Sequence, residues 1–337
     1  MKVLFRLNAG MVAGLGHLTR CLVLGDAFNK KNIDSYFLIK TDNQEMIHSF
    51  LKDEEIIKQN YKTLQGELTK EEDVEIIKNN YYNNFSFLIL DHYDHDIIYQ
   101  EKLKRHGIKW AQFDFEAKNK ILANVVINAN ISANENDYKK ITNQNTGLCI
   151  GYKYAIIRQS FSNLKSNPAK NRILIAMGGG TYPADVIQLI ELLITNKDFQ
   201  FEIVTRDEQL VHIAYDQANV NLHLNTADVI PIYQKCEVAI VAGGVTTFEL
   251  AALNTPMLII PFAENQIPNA KAWGKFNFAL SYENVKSFEI TLGKNGLNNL
   301  IELLNNKSKK RRINIDTLGP ERIVLKIFKQ LEYEQRK

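Results

Sequence analysis

The sequence predicts an α/β protein made of two Rossmann-like domains. Short strand-forming runs alternate with longer segments of helical periodicity along the whole chain, an order typical of parallel sheets covered by helices. Its 337 residues correspond to about two domains of roughly 100 to 200 residues each. Apolar residues make up 45% and charged residues 23%, which provides for packed cores and argues against global disorder.

The first half of the chain contains a series of predicted strands separated by helical patterns. The strands cover residues 3–7, 35–39, 85–90, 108–113 and 125–128. Helices are predicted at residues 17–30 and 97–105. Because strands and helices alternate, residues 1–160 are predicted to form an N-terminal Rossmann-like domain.

A second series of strands begins after a polar stretch. The strands cover residues 172–177, 201–205, 238–241 and 257–261. Residues 161–170 contain Pro168 and few apolar residues, so we expect an interdomain linker there. The C-terminal domain is expected to span residues 171–337 and to end in amphipathic closing helices at 301–304 and 321–331.

Charge and cysteine usage limit the partners and the compartment. Forty-one Lys and Arg against 38 Asp and Glu leave a net charge of +3, too small to predict a nucleic-acid partner. No apolar run approaches the roughly 20 residues that would cross a bilayer, and the N-terminus lacks a signal-peptide pattern. Cys21, Cys149 and Cys236 are widely spaced and fit neither a metal nor a redox motif, so we expect a cytoplasmic protein.

The loop after the first strand is rich in glycine. Gly10, Gly14 and Gly16 precede His17 at the start of a predicted helix, and ligands bind at this edge of open α/β sheets. The spacing is not Gly-x-Gly-x-x-Gly, which disfavours NAD. A helix N-terminus disfavours a charged imidazole, so His17 would stay neutral and could accept a proton from water. The alternative is an ordinary polar residue at a helix end.

Polar residues also follow the predicted strand 85–90. Asp91 and Tyr93 are the candidates for contacting a polar ligand at this edge of the sheet. His92 and His95 lack the spacing of metal ligands, and no metal or other cofactor is predicted. Asp94 to Asp96 are alternatively read as caps of the helix that begins near residue 97.

Two glycine loops in the second half follow strands and precede helices. Such loops let the backbone approach a diphosphate, while amides and hydroxyls supply donors without a bound metal. The loop residues are Gly178, Gly179, Gly180, Gly243, Gly244, Val245, Thr246 and Thr247. A Walker lysine is absent, which excludes a nucleotide triphosphatase loop.

Three further polar residues lie beside these loops. Glu249 is placed to accept hydrogen bonds from a ribose diol, or it is a carboxylate favoured by the helix dipole. Asn265 and Gln266 open another helix after a strand, where they could hold sugar hydroxyls or phosphate oxygens, or cap that helix.

Several motifs along the chain form a joint pattern. They are Arg6, Gly14-Leu15-Gly16-His17-Leu18-Thr19-Arg20-Cys21-Leu22, Asp91-His92-Tyr93, Phe113-Asp114-Phe115-Glu116, 151–158, Met177-Gly178-Gly179, 243–249 and Asn265-Gln266. In order and spacing the chain resembles the PseG/SpsG family of nucleotide-sugar hydrolases. The resemblance implies a metal-independent GT-B architecture, two Rossmann-like domains facing across a cleft, with UDP on the C-terminal domain.

The same resemblance implies an activity. It is hydrolysis of UDP-2,4-diacetamido-2,4,6-trideoxy-β-L-altropyranose to UDP and the free sugar, with inversion at the anomeric carbon, in pseudaminic acid biosynthesis. His17 occupies the position of the catalytic histidine, where it would activate water. Arg6, Asn8, Gly14 and Gly16 lie in the motifs that would contribute to substrate binding, with Asp91, Tyr93, Asn265 and Gln266.

The chain departs from the family pattern at two places. Asn8 stands where members usually have an aspartate, and Gly180-Thr181-Tyr182 replaces the usual Ser or Thr followed by Asp. Two alternative functions therefore stay open: a GT-B glycosyltransferase that passes the sugar from a UDP donor to an acceptor, and a nucleotide-sugar binding protein without turnover.

Overall fold

The computed structural model describes residues 2–52, 60–226, 228–276, 279–308 and 314–335. The chain divides into two compact units. Unit 1 comprises Met1–Ile157 and Leu318–Lys337, and unit 2 comprises Arg158–Thr317. No helix in the described ranges has the length and apolar character that a membrane crossing requires.

The described part of unit 1 contains one parallel sheet of seven strands. They are β1 (Lys2–Asn8), β2 (Asp34–Lys40), β3 (Tyr61–Leu64), β4 (Phe87–Asp91), β5 (Trp110–Phe113), β6 (Val125–Asn128) and β7 (Gly147–Ile150). The spatial order is β3-β2-β1-β4-β5-β6-β7, so the order reverses between β1 and β4. Ligands bind at this type of switch point in open α/β sheets, outside the carboxyl ends of the strands.

Helices cover both faces of this sheet. They are α1 (Gly16–Asn29), α2 (Gln44–Leu51), α3 (Lys70–Asn84), α4 (Ile97–Arg105), α5 (Glu135–Ile141) and α12 (Gly319–Gln335). Because successive side chains of a strand point to opposite faces, β1 contributes to two cores. Phe5 belongs to the core that includes Leu18 and Leu22 of α1, and Leu4 belongs to the core on the opposite face.

The described part of unit 2 contains a second parallel sheet, of six strands. They are β8 (Ala169–Ala176), β9 (Gln200–Thr205), β10 (Val220–Leu224), β11 (Cys236–Val241), β12 (Met257–Ile259) and β13 (Ala279–Ser281), in the order β10-β9-β8-β11-β12-β13. Its helices are α6 (Ala184–Ile194), α7 (Gln209–Ala214), α8 (Ile230–Gln234), α9 (Thr246–Ala252), α10 (Ile267–Trp273) and α11 (Val285–Ser308). The carboxyl ends of β8 and β11, which are neighbours, carry the two glycine loops.

The last helix corrects the predicted domain boundary. We expected the whole of 171–337 to form the C-terminal domain, but α12 belongs to unit 1. Ile323, Val324 and Ile327 of α12 are buried in the core beneath α1. Gly319 approaches the carbonyl of Ala155 so closely that a side chain would not fit. The sequence shows α12 as amphipathic, but amphipathicity does not reveal which core the apolar face covers.

The predicted linker is also shorter than expected. Phe161 is buried within a 3₁₀ turn, Gln159–Phe161, and β8 begins at Ala169. Residues 162–168 connect these elements without regular secondary structure. The first residues of β8 are exposed and polar, which is why the apolar pattern placed the start of this strand at residue 172.

Candidate active site

The carboxyl edge of the sheet in unit 1 brings His17 and Asp91 together. β1 and β4 are paired, and α1 follows β1 after a short loop, so the first turn of α1 lies beside the end of β4. Nδ1 of His17 lies 2.8 Å from Oδ1 of Asp91. The His17 side chain is 8% exposed. The ring therefore keeps a small contact with solvent while Nδ1 faces the carboxylate.

Asp91 is held by an arginine as well as by the histidine. Nε of Arg20 donates to Oδ2 of Asp91 at 2.5 Å, and Nη2 donates to Oδ1. The Cys21 thiol also lies 3.3 Å from Oδ2. Burial alone would raise the pKa of Asp91, but Arg20 and His17 hold it well below its usual range. Asp91 is therefore a fully buried, ionised acceptor.

This position gives Asp91 protein partners in place of the ligand contact that the sequence suggested. Its side chain has no exposed surface, and its oxygens are occupied by groups of the protein itself. Tyr93, two residues later, is 61% exposed, and its ring meets the His17 ring edge-on with 5.2 Å between centroids. Of the two ligand candidates after β4, the structure therefore leaves Tyr93 accessible beside the histidine.

Arg6 is likewise buried, and its guanidinium is bonded to groups of the protein itself, so a role in substrate binding stays a prediction. Its Nε donates to Oδ1 of Asp73 at 2.7 Å, and Nη1 donates to the carbonyl of Leu7 and to Oδ1 of Asn8. The Tyr99 hydroxyl donates to the second oxygen of Asp73 at 2.9 Å. Asn8 supplies an acceptor oxygen for Arg6. An amide can therefore accept this hydrogen bond at the position where the family pattern has a carboxylate.

The glycine loop between β1 and α1 forms a defined turn. The amide of Gly10 donates to the carbonyl of Gly14 at 3.2 Å, and both residues have positive φ. The amides of Met11 and Val12 donate to the two carboxylate oxygens of Asp42. A Cβ on Gly10 would overlap that carboxylate. Asp42 therefore fixes the shape of the loop.

Gly16 is the first residue of α1, directly before His17. A Cβ at this position would meet no other atom within 4 Å, and the same holds for Gly14. Packing therefore leaves open space on both glycines of the predicted substrate site. Whether a substrate fills it stays a prediction.

The residues after Tyr93 do not form a metal site. No group of three or more His, Cys, Asp or Glu side chains in the described part of the chain is arranged to hold a metal ion. His92 is buried, which lowers its pKa well below the ordinary value, and its Nδ1 accepts from the amide of Asp94. Asp96 caps α4 by accepting from the amide of Tyr99, which confirms the capping alternative for that residue.

In unit 2, the loop after β11 is shaped by close contact with the loop after β12. A Cβ on Gly243 would lie 2.6 Å from the carbonyl oxygen of Gln266, so the position requires glycine. Nδ2 of Asn269 donates to the carbonyl of Gly243 at 2.6 Å. The Thr247 hydroxyl is buried and donates to the carbonyl of Gly244, so it is not the free donor for a phosphate that we predicted. Gly244 itself is exposed.

Val245 and Thr246 complete the start of α9. Val245 is the residue before the helix, and it is exposed. Thr246, the first helical residue, is half-buried. The structure thus leaves the backbone at Gly244 and Val245 accessible, while the Thr247 hydroxyl is used internally.

The loop after β8 is supported by a tyrosine and flanked by an arginine. Gly178 has a φ of 125° and is exposed, and its carbonyl accepts from the Tyr182 hydroxyl at 2.9 Å. The amide of Tyr182 in turn donates to Asp207 at 2.6 Å. A Cβ on Gly179 would lie 3.7 Å from Cδ of Arg206, which follows β9. Gly180 has open space around it.

Glu249 lies in α9 and is almost completely buried. Burial raises its pKa, and Arg158, whose Nη2 lies 3.5 Å from Oε1, offsets this only in part. Oε1 of Gln266 accepts from the amides of Phe262 and Ala263, so this side chain closes its own turn, as the capping alternative proposed. Asn265 is exposed and remains accessible.

The sequence analysis missed several residues that shape the site. Arg20 lies one turn after His17 on α1, and this spacing places both on one face of the helix. Asn269 lies one turn after Gln266 in the same way. Asp42 and Asp73 reach the site from distant parts of the sequence, so no local spacing could have indicated their roles.

Comparison with known proteins gives one informative sequence match. No family model matches the chain. The chain is 25% identical to the UDP-2,4-diacetamido-2,4,6-trideoxy-β-L-altropyranose hydrolase of Campylobacter jejuni, over 84% of this chain and 100% of that protein. The predicted resemblance to the PseG/SpsG hydrolases is confirmed. Similarity to an enzyme along its whole length supports the prediction that this chain is an enzyme.

Two solved structures are similar along almost the whole chain. MurG of Acinetobacter baumannii has a TM-score of 0.61 at 17% identity, covering 98% of this chain and 100% of that chain. A UDP-N-acetylglucosamine 2-epimerase of Listeria monocytogenes, described as putative, has a TM-score of 0.68 at 12% identity, covering 98% and 97%. With its two parallel-sheet α/β units, the chain has the GT-B fold, as predicted.

Proposed function

We propose that the protein is a metal-independent hydrolase of a UDP-linked 2,4-diacetamido-2,4,6-trideoxy sugar, acting in pseudaminic acid biosynthesis. The observation that carries the proposal is a partly accessible imidazole whose Nδ1 faces a buried carboxylate, which leaves Nε2 as the nitrogen that can act on water. A neutral imidazole in this arrangement is suited to take a proton from water. The substrate follows from the sequence similarity to the Campylobacter hydrolase.

In the proposed reaction, His17 acts as the general base. Nε2 accepts a proton from water as the water oxygen forms a bond to the anomeric carbon. The bond between that carbon and the diphosphate oxygen breaks, and its electron pair leaves with UDP. Attack on the face opposite the leaving group gives inversion. The imidazolium formed beside Asp91 then returns its proton to solvent.

We assign the UDP leaving group to the glycine loops of unit 2. The exposed backbone at Gly178, Gly244 and Val245 provides room for a diphosphate, because glycine lets oxygens approach the chain closely. Arg206, beside Gly179, adds a cation that the sequence analysis did not include. Glu249 is proposed to accept from the ribose hydroxyls, and Tyr93 and Asn265 to contact the sugar.

The direct test is incubation with the UDP-linked diacetamido sugar in ¹⁸O-labelled water. We expect UDP without label and free sugar with one labelled oxygen at the anomeric carbon, and NMR of the first product anomer should show inversion. His17→Gln is expected to lower kcat by about 10²- to 10⁴-fold. His48→Gln is the matched control, because His48 is exposed on α2.

Two outcomes would contradict the proposal. UDP release that depends on an added acceptor would indicate a glycosyltransferase, the first alternative that the sequence left open. Binding of the UDP-sugar without any cleavage would indicate a binding protein. Wild-type turnover by the His17→Gln variant would reject the assigned base while leaving the activity itself intact.

A further inference from the structure

One ring nitrogen of the proposed base lies close to two polar atoms of neighbouring side chains. Nδ1 of His17 lies 2.8 Å from Oδ1 of Asp91 and 2.8 Å from Nη2 of Arg20, and the same Nη2 donates to Oδ1. Arg20 and Asp91 are thus the charged groups within hydrogen-bond distance of the ring. The arrangement has a consequence for the proton on the imidazole, because a neutral ring carries its proton on only one of its two nitrogens.

The carboxylate decides between the two tautomers. If Nδ1 carries the proton, it donates to Asp91, which accepts from Nη2 of Arg20 at the same time. If Nε2 carries the proton, the lone pair of Nδ1 can accept from Nη2 of Arg20 at 2.8 Å, but it then also faces an oxygen of the ionised carboxylate at 2.8 Å. An ionised carboxylate has no proton to donate, so that contact is repulsive. The first tautomer leaves the lone pair on Nε2, where the proposed reaction needs it.

This choice holds only while Asp91 is ionised. Burial favours the protonated carboxyl, and a protonated Asp91 could donate to Nδ1 and reverse the tautomer. Arg20 opposes this through two hydrogen bonds and its charge. His92 cannot replace it, because burial keeps that imidazole neutral by lowering its pKa well below the usual value.

The guanidinium is fixed in place by aromatic rings. The carbon at its centre lies 4.7 Å from the ring centroid of Phe113 and 4.8 Å from that of Phe115. The Arg20 side chain is 14% exposed. Cation–π contact on two rings and a two-bond fork to a carboxylate suit a planar guanidinium and not an ammonium.

We propose that Arg20 is a positioning residue: acting through Asp91, it keeps the proton of His17 on Nδ1 and the lone pair on Nε2. Its importance for rate depends on the proposed function. The tautomer itself does not, because it can be measured without substrate.

The test combines NMR of ¹⁵N-histidine-labelled protein with kinetics. The chain has seven histidines, so the His17 signals are assigned by their loss in His17→Gln. In the wild type, at a pH high enough for the ring signals of His17 to be those of a neutral imidazole, we expect the proton on Nδ1. In Arg20→Met we expect the proton on Nε2, a fall in kcat on the order of 10- to 100-fold, as for other partners that orient a functional imidazole, and little change in KM. Arg20→Lys keeps the charge without the fork, so it should retain the wild-type tautomer and fall between the two in kcat.

Controls separate this role from a general loss of structure. Lys30→Met removes an exposed ion pair with Asp26 from the same helix and should leave both the tautomer and kcat unchanged. If Arg20→Met does not fold, Asp91→Asn and Arg20→Lys carry the test, because an asparagine amide at position 91 can donate to Nδ1 and should reverse the tautomer.

The inference fails if the His17 ring of Arg20→Met keeps its proton on Nδ1. If Arg20→Met is unfolded, the inference fails when the His17 ring of Asp91→Asn keeps its proton on Nδ1. It also fails if the wild-type ring carries its proton on Nε2. If the wild type cleaves no UDP-sugar but the tautomer reverses in the variants, the proposed function is wrong while the positioning role stands.

Discussion

Replacing Asp73 by asparagine tests whether the buried cluster of Arg6, Asp73 and Tyr99 stabilises the fold, as its burial indicates. Asp73→Asn removes the charge that faces Nε of Arg6 and keeps the volume of the side chain. The Arg6 and Asp73 side chains are 2% and 6% exposed, so water cannot replace the lost acceptor. An asparagine oxygen can accept from Arg6 or from the Tyr99 hydroxyl, and its amide would meet a donor on the other side.

The structure sets the expected size of the effect. Removing one partner of a buried ion pair typically costs about 3–5 kcal/mol of unfolding free energy, because the other charge stays buried without compensation. Tyr99→Phe deletes one hydrogen bond to the carboxylate and keeps the ion pair, so we expect about 1.5–3 kcal/mol. Combining Arg6→Met with Asp73→Leu removes both charges and should cost less than Asp73→Asn alone.

The assay must report on unit 1 alone, since two units need not unfold together. The chain has two tryptophans, Trp110 in unit 1 and Trp273 in unit 2. In a Trp273→Phe background, Trp110 fluorescence during urea unfolding therefore follows unit 1. A shift in the midpoint at constant m-value gives the change in stability.

A loss below about 1 kcal/mol for Asp73→Asn would place this substitution within the range of an ordinary hydrogen bond and refute the buried ion pair as the stabilising contact. A double variant that is less stable than Asp73→Asn would also contradict it. Normal stability with lost turnover would return Arg6 to the substrate site, where the sequence placed it.

Three further predictions concern the glycine loop of unit 2, the last helix and a buried carboxyl. Gly243→Ala places a Cβ 2.6 Å from the carbonyl oxygen of Gln266, so we expect the loop to shift and UDP affinity to fall at least about tenfold, or about 1.4 kcal/mol, as measured by calorimetry. The control is Gly293→Ala in α11, which has open space around its Cβ and should bind UDP normally. Deleting residues 318–337 removes buried side chains from the core of unit 1, so the Trp fluorescence midpoint of that unit should fall while the midpoint of unit 2 stays. Burial raises the pKa of Glu249, so ionisation of this carboxyl destabilises the folded state. Urea unfolding should therefore show that the stability of Glu249→Gln, relative to wild type, increases from pH 4 to pH 7. An equal difference in stability at both pH values would contradict this.

The sequence predicted the centre of each sheet better than its edges. β1, β4, β8 and β11 each contain a buried and largely apolar run, which makes them visible in the sequence. The strands that were not predicted, β3, β7, β10 and β13, are the edge strands of the two sheets. They are short, and β10 has the sequence Val-Asn-Leu-His-Leu, which lacks a continuous apolar run. Short half-covered strands carry little of the pattern on which the prediction depends.

The candidate site was predicted in its loops but not in its contacts. Strand ends and glycines located His17, Tyr93 and the unit 2 loops, because the carboxyl edge of a parallel sheet follows from topology alone. The directions of Arg6 and Asp91 did not follow, since a polar residue at a strand end can point to solvent or to a buried partner. That choice depends on Asp73 and Arg20, which long-range packing brings to them.

Two arginine–carboxylate pairs, each with one member on the neighbouring strands β1 and β4, have different consequences because they differ in access to solvent. Asp73 satisfies a guanidinium that is shut away from water, so the pair Arg6–Asp73 contributes to folding and its loss should appear in the free energy of unfolding. Asp91 is equally buried, but its second partner is a histidine that still has contact with solvent. The Arg20–Asp91 ion pair therefore acts on the position of the His17 proton, and loss of this ion pair should appear in the tautomer of His17 and in kcat.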